Sequence, residues 1–421
     1  MIKKTILPNG LRIISEYMPE SYSATVMVFV NIGSGHEPAR LNGISHFIEH
    51  MLFKGTRKRN SEEIVQAIES TGGSINAFTE KECTCYYAKV LTYDVSTAID
   101  VLLDMAFNSV YSKNDIEIER QVILEEIRMY DDTPDELVQD LLMESYWKKT
   151  ALSQPIAGKI KTLQGIATED ILQFINDYYV PENIILSIAG NFNEEEVMAQ
   201  ISEFAGDINR STKPKNIELP EINPGIVSCE KDIEQSHICM GLRGISILEE
   251  DSYASALIDI CLGGGMASRL FQEIREKRGL VYTINSFINL YRPSGIFGVS
   301  AGTNPSHVNE VIELIMEEMQ RLRSSGLTDE EFNKAKIQLK GNLMIGLEST
   351  KYRASKNGRS ELYFNRTYTM NEICKSIDAV SNEDIKRLCN YMFDEKYLGV
   401  SLVGPKGYKL KELKLSGLME G

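Results

Sequence analysis

The chain has 421 residues, 43% hydrophobic and 25% charged, with a formal net charge of −15. That balance belongs to a soluble globular protein, and the length exceeds what a single core usually covers, so two domains are expected. The acidic charge argues against nucleic acid or anionic membrane as a partner, and no apolar run approaches the roughly 18–20 residues of a membrane span. The first ten residues, Met1 to Gly10, carry two lysines but no apolar stretch of signal-peptide length, so a cytoplasmic address is expected. Seven cysteines without framework spacing are read as reduced, mostly packed thiols.

In chain order, residues 2–7 and 11–16 form a predicted hairpin about Asn9-Gly10, followed by a buried strand over 24–32. A short helix starts after Asn42, which can cap it, and Gly55 can end it. A second helix opens at Ser61. Strands are predicted at 74–79 and 84–91, and helices at 93–109, 113–131 and from Pro134 to about Trp147. A strand at 183–189 and a helix at 193–204 close the first half. Residues 206–225, with Lys213-Pro214-Lys215, Pro220 and Pro224, look like a linker.

The rhythm then restarts. Strands are predicted near 226–231 and 237–244, helices near 252–262 and 268–277, and strands near 281–289 and 295–302. Long helices at 306–324 and 328–349, further helices and a strand at 398–403 complete the chain. The repeated order suggests a duplicated unit: an N-terminal domain over 1–206, a linker over 207–225 and a C-terminal domain over 226–421. Gly263-Gly264-Gly265 falls roughly where the short helix falls in the first half, so the second half has no such helix motif of its own.

The short helix carries the chemistry. Ile44, Phe47, Ile48, Met51 and Leu52 recur at helical spacing, while His46 and His50, four apart, lie one turn apart on one face with Glu49 beside them. Two imidazoles at that spacing can share a divalent cation, and a neighbouring carboxylate can hold the water that the cation activates. The order His-x-x-Glu-His is the inverted form of the commoner zinc-peptidase motif. An open catalytic zinc usually has a third protein ligand. Helix 113–131 offers Glu119, Glu125 and Glu126; Glu119 and Glu126 share a face and Glu125 points about 100° away, but the pattern does not say which face meets the metal. His36, His237 and His307 have no partner at metal spacing and are read as structural.

His46-Phe47-Ile48-Glu49-His50 with Glu126 some 76 residues further on resembles the pitrilysin/insulinase family of zinc peptidases, in its bacterial and mitochondrial processing-peptidase branch. The likeness spans nearly the whole chain. It implies an α+β fold of two homologous domains, each a mostly antiparallel sheet flanked by helices and together half of a clamshell. It also implies one zinc ion per chain on His46, His50 and Glu126, with Glu49 as general base and Glu119 assisting. Gly73 to Thr79 is similar to the family strand that pairs with the substrate backbone, which points to Asn76, Ala77 and Phe78 as substrate-binding. Leu270 to Tyr282 is similar to the family's Arg/Tyr element, with Arg275 and Tyr282 near the cleaved bond. Glu136 and Asp140 match acidic positions that grip a basic residue.

The implied activity is zinc-dependent hydrolysis of extended peptides or leader sequences, with a basic residue favoured near the cut. The implied assembly is a homodimer enclosing a cleavage chamber, with no nucleic acid or membrane partner. Gly263-Gly264-Gly265 is shorter than the glycine-rich loop of the mitochondrial non-catalytic subunit, so transit-peptide removal is not implied. Two alternatives stand beside this reading: a non-catalytic scaffold or assembly subunit of the same fold, and one half of a heteromeric peptidase. The four residues His46, Glu49, His50 and Glu126 speak against the first, and the presence of both the zinc motif and the Arg275/Tyr282 element speaks against the second.

Overall fold

The computed structural model describes residues 2–208 and 216–406. Contacts divide the chain into two compact α+β units, each built on one twisted sheet. Of the described residues, the first unit holds those up to Ile127, those within Gln154–Ile217 and Met344–Tyr368, and the second holds the rest.

The first sheet has six strands: β1 (Ile2–Ile6), β2 (Arg12–Tyr17), β3 (Ser23–Val30), β4 (Ser74–Thr79), β5 (Thr84–Leu91) and β6 (Ile184–Gly190), in the order β1-β2-β6-β3-β5-β4. Only β2 and β6 run parallel; the other pairs are antiparallel. Strands β3 and β6 are buried along nearly their whole length, as central strands covered on both faces must be. β4 is an edge strand, with one side of its backbone left unpaired by the sheet.

The second sheet has five strands: β7 (Gly225–Lys231), β8 (Ser236–Arg243), β9 (Val281–Leu290), β10 (Gly295–Thr303) and β11 (Gly399–Pro405), ordered β9-β10-β8-β11-β7. Again a single pair is parallel, β7 with β11, and the rest are antiparallel. Matching β7, β8, β9, β10 and β11 to β2, β3, β4, β5 and β6 reproduces the order of the first sheet. The duplication expected from element order is therefore a duplication of topology.

The units are not the two contiguous halves of the sequence. Helix Pro134–Tyr146 packs on β7, β8 and β11 of the second sheet, and helix Thr350–Phe364 packs on β2, β3 and β6 of the first. An amphipathic pattern shows that a helix face is buried but not which sheet buries it, so sequence position placed each helix with its neighbours in the chain. Of the expected linker at 207–225, residues 209–215 lie outside the described residues; Glu221–Ile222 pairs with Trp147–Lys148 in a two-stranded ladder. Two helices between 147 and 183, Ile160–Gly165 and Thr168–Tyr178, were not expected from the sequence. All seven cysteines are free thiols, five of them buried. Among the described residues no helix is long and apolar enough to cross a membrane.

The seat of helix Thr350–Phe364 rests on close approach. Ser187 Oγ donates to the Ala354 carbonyl at 2.7 Å, and the Thr25 and Thr350 hydroxyls bond at 2.9 Å. Gly358 lies so near the fully buried Phe29 that a Cβ would stand 2.3 Å from the ring, and the enclosed ring has nowhere to move. Gly358→Ala should therefore destabilise the first unit by about 1–3 kcal/mol in urea unfolding; an unchanged midpoint would contradict this packing.

Candidate metal centre

The motif helix spans Ile44–Leu52. Ile44, Phe47, Ile48, Met51 and Leu52 are fully buried, which leaves His46, Glu49 and His50 on the remaining face. Its start differs from expectation. Gly43 rather than Asn42 is the N-cap, at φ 97°, where a Cβ would also stand 2.7 Å from the Ala157 carbonyl oxygen. The first-turn donors go instead to the buried Glu37 carboxylate, which accepts from the Gly43 N–H at 2.7 Å and the Ser45 N–H at 2.8 Å. Asn42 supports that carboxylate with its amide at 3.2 Å. A carboxylate there also suits the positive end of the helix dipole, although burial pushes the Glu37 carboxyl up to about 7. The helix ends at Leu52, before the expected Gly55, with the Phe53 N–H bonded to the His50 carbonyl.

The helix predicted at 113–131 forms over Lys113–Asp131. It brings Glu126 Oε2 to 3.5 Å from His50 Nε2 and 3.7 Å from His46 Nε2. The two imidazole centroids are 4.7 Å apart. One donor atom from each of the three residues lies within 4.8 Å of the other two. These separations are too long for hydrogen bonds and close to the roughly 3.3 Å between ligand atoms that a tetrahedral zinc with bonds near 2.0–2.1 Å requires. The donor set of two imidazoles and a carboxylate fits a zinc ion, and this is the one such cluster among the described residues. Glu125, on the same helix, is exposed.

Burial sets the protonation states. It lowers His46 to about 4, helped by the neighbouring His50, and it lowers His50 as well, so both imidazoles are neutral near pH 7, the form that ligates. The same burial pushes the Glu49 carboxyl up to about 7. The Thr79 hydroxyl donates to Glu49 Oε2, so the last residue of β4 fixes the carboxylate beside the histidines. Glu119 is buried, and its Oε1 lies 2.6 Å from Lys54 Nζ. The next residue, Arg120, lays its guanidinium 5.3 Å from the Phe47 ring centroid and donates to the Leu163 and Ile166 carbonyls.

The other expected site residues fall as follows. Asn76, Ala77 and Phe78 lie on the edge strand β4; Ala77 is on the same strand face as Thr79, and Asn76 Oδ1 accepts from the Ala77 N–H at 2.7 Å. Phe78 packs on the opposite face against Phe29 and Tyr87. In the second unit the helix expected at 268–277 is a π-helical turn, Phe271–Glu276. It sets the Arg275 guanidinium 4.6 Å from the Phe271 ring and 6.0 Å from the Tyr282 ring, so Arg275 and Tyr282 do come together, with Tyr282 72% exposed. Glu136 and Asp140 are exposed, one turn apart on helix Pro134–Tyr146. Of the remaining histidines, His36 is bonded to the Gly33 N–H and His307 faces Glu310.

Glu37, Lys54 and Thr79 are not among the site residues expected from the sequence. Thr79 was legible, because strand alternation puts it on the face of Ala77; Glu37 acts across an irregular segment that gives no periodic signal. The second unit repeats part of the arrangement. The counterpart of the motif helix is Ser252–Leu262, just before the glycine run, where Asp259 accepts from Ser286 of β9 at 2.5 Å as Glu49 does from Thr79. The residues three before and one after Asp259 are Ala256 and Ile260, where the motif helix has its histidines.

Residues 12–159 match the family described as insulinase (peptidase family M16), and residues 165–339 match the peptidase M16 inactive domain. A Bacillus subtilis protein named YmxG, described as an uncharacterized zinc protease, is 38% identical over 97% of this chain and 99% of its own length. A Streptomyces coelicolor protein described in the same way is 36% identical over 96% of this chain and 90% of its own. Among solved structures, a Helicobacter pylori protease aligns with a TM-score of 0.90 at 22% identity, covering 96% of this chain and 99% of that one. A Pseudomonas fluorescens structure titled as a peptidase M16 inactive domain gives the same score at 18% identity, covering 97% and 99%. At those identities the structures bear on the fold alone.

Since the His46 imidazole has a lower pKa folded than the ordinary 6.5 of an exposed one, its contribution to the metal-free protein is present above about 6.5 and lost as the pH falls towards about 4. Metal-free wild type should lose stability over that window relative to His46→Asn. Urea midpoints measured at pH 7, 5.5 and 4.5 check this, and a constant difference between the two proteins would contradict a buried neutral imidazole.

Proposed function

From the premise that this chain belongs to the insulinase (M16) peptidase family, we propose that it is a zinc-dependent endopeptidase acting on extended peptides. The observation that carries the reading is the convergence of His46, His50 and Glu126 within 4.8 Å, with the Glu49 carboxylate beside them. His46 and His50 through Nε2, and Glu126 through Oε2, would hold the ion. A zinc ion bound there supplies Lewis-acid polarisation of a carbonyl and acidifies water.

The protein's own groups supply the proton handling. Thr79 occupies Oε2 of Glu49, which leaves Oε1 to take the proton of an attacking water and to return it to the leaving amine nitrogen. Burial matches that role, since a base poised near neutral pH can both accept and give up a proton. The open edge of β4 supports strand addition by a substrate backbone, with main-chain bonds that read little of the sequence. Arg275 and Tyr282, stacked in the second unit, are assigned to hold the substrate carbonyl as it gains charge. The exposed carboxylates of Glu136 and Asp140 are assigned to a basic substrate residue.

Two copies of the chain make up the working enzyme in this reading, in a chamber that takes unfolded peptides. A scaffold subunit of the same fold has no use for a general base fixed by a strand hydroxyl next to two neutral imidazoles.

Glu49→Gln should retain one zinc per chain while peptide turnover falls by about 10²–10⁴. Metal content by atomic emission and cleavage of an extended basic peptide, assayed on the chain purified alone, check both halves. An active Glu49→Gln protein removes Glu49 as the base, and a folded protein digested as fast as the peptide removes the chamber.

A further inference from the structure

The motif helix and helix Lys113–Asp131 meet along two matched rows of side chains. One row is His46, His50 and Lys54, each four residues after the last, so all three lie on successive turns of one face. The chain keeps that path past Leu52, because Phe53 is still helical in its backbone. The other row is Glu119 and Glu126, seven apart and within about 20° of one another. The rows run in opposite directions. His46 and His50 face Glu126, and Lys54 faces Glu119.

The pairing of Lys54 with Glu119 is not an ordinary surface ion pair. Glu119 is only 3% exposed, and its Oε2 is buried with no partner. Enclosing a carboxylate costs least where a cation stands beside it. The adjacent Arg120 does not serve it, since its guanidinium lies on Phe47 and is bonded to Leu163, Ile166 and Glu117. The Lys54 ammonium, 2.6 Å from Oε1, is the ion-pair partner of Glu119 among the described residues. The lysine stem is 31% exposed, so it reaches in from the rim and delivers its charge to a buried end.

We propose that Lys54 is a positioning residue for the metal centre: by holding the Glu119 carboxylate, it fixes helix Lys113–Asp131 against the motif helix so that Glu126 stands at ligand spacing from His46 and His50. The Lys54–Glu119 pair and the cluster of three donors are then successive rungs between the same two helices. The first is made by the protein alone, and it sets the second. Without Lys54 the rung is lost, and helix Lys113–Asp131 loses the support that the pair gives it beside Glu126. The proposal rests on the zinc reading above.

The test is zinc affinity, measured by competition with a chromophoric chelator on the full chain, for wild type, Lys54→Met, Lys54→Arg, Glu119→Gln and the double variant Lys54→Met/Glu119→Gln. Wild type should bind one zinc per chain. Lys54→Met should bind about 10–100-fold more weakly, the loss typical of groups that orient metal ligands, and Lys54→Arg should restore most of that loss. In the double variant, the lysine change should add nothing to the loss caused by Glu119→Gln, because Lys54 acts through Glu119. Equal affinity of wild type and Lys54→Met, or losses that multiply in the double variant, would overturn the proposal. Should Lys54→Met not fold, the comparison passes to Lys54→Gln against Lys54→Arg, where equal affinities overturn it. If wild type itself takes up no zinc, the functional reading fails rather than the role of Lys54.

Discussion

Withdrawal of the motif helix's polar face from water is the constraint on which the rest of the site depends. One physical cause, the cost of burying charge, moves His46 and His50 down and Glu49 up. The result is a pair of neutral imidazoles next to a carboxyl that titrates near neutrality, in the space of five residues. Such a cluster persists only if its surroundings offset the desolvation, and three neighbouring side chains supply specific contacts. Glu37 takes the first N–H groups of the helix, Thr79 takes one oxygen of Glu49, and Lys54 takes one oxygen of Glu119. The apolar side of the helix is fully enclosed, so the helix cannot roll to relieve any of these contacts.

The five strands of the second sheet repeat the order of β2 to β6 in the first, including the parallel pairing of β2 with β6 and of β7 with β11. Each unit also has a carboxylate on the helix after its second matched strand, bonded to a hydroxyl on its edge strand: Glu49 with Thr79, and Asp259 with Ser286. Among the described residues the cluster of candidate ligands is not repeated with the scaffold. Ala256 and Ile260 stand where imidazoles would be needed, and apolar side chains cannot ligate. The second unit's distinctive features are instead a π-helical turn and the stacked Arg275 and Tyr282 it presents. A unit with the cluster of candidate ligands and a unit without one agree with the separate family descriptions that the two parts of the chain match.

Elements with strong local signals were legible in the residues. Strands 74–79 and 84–91 and helix 113–131 form over the residues expected, because alternation and helical period are properties of consecutive side chains. The errors lie where the cause is distant in sequence. Asn42 has a good capping side chain, but a backbone at positive φ and a buried glutamate from an irregular turn displace it. Residues 134–146 and 350–364 were placed with their sequence neighbours, yet each segment forms a helix that packs on a sheet from elsewhere in the chain. The π-helical turn at 271–276 gave an ordinary helical pattern, since one wider turn hardly changes the spacing of apolar residues.

What the sequence by itself determined was the relation of His46, Glu49 and His50, because the pitch of a helix fixes the angle between residues three and four apart wherever that helix sits. It also determined that helix 113–131 carries acids on more than one face. Which acid completes the cluster was a tertiary decision: the residues alone left Glu119, Glu125 and Glu126 open, and packing turned Glu126 to the histidines and Glu119 to Lys54 and left Glu125 on the exposed side. The physical reason is range. Covalent geometry orders side chains within one helix, whereas the choice between faces of two helices some seventy residues apart belongs to the core that presses them together.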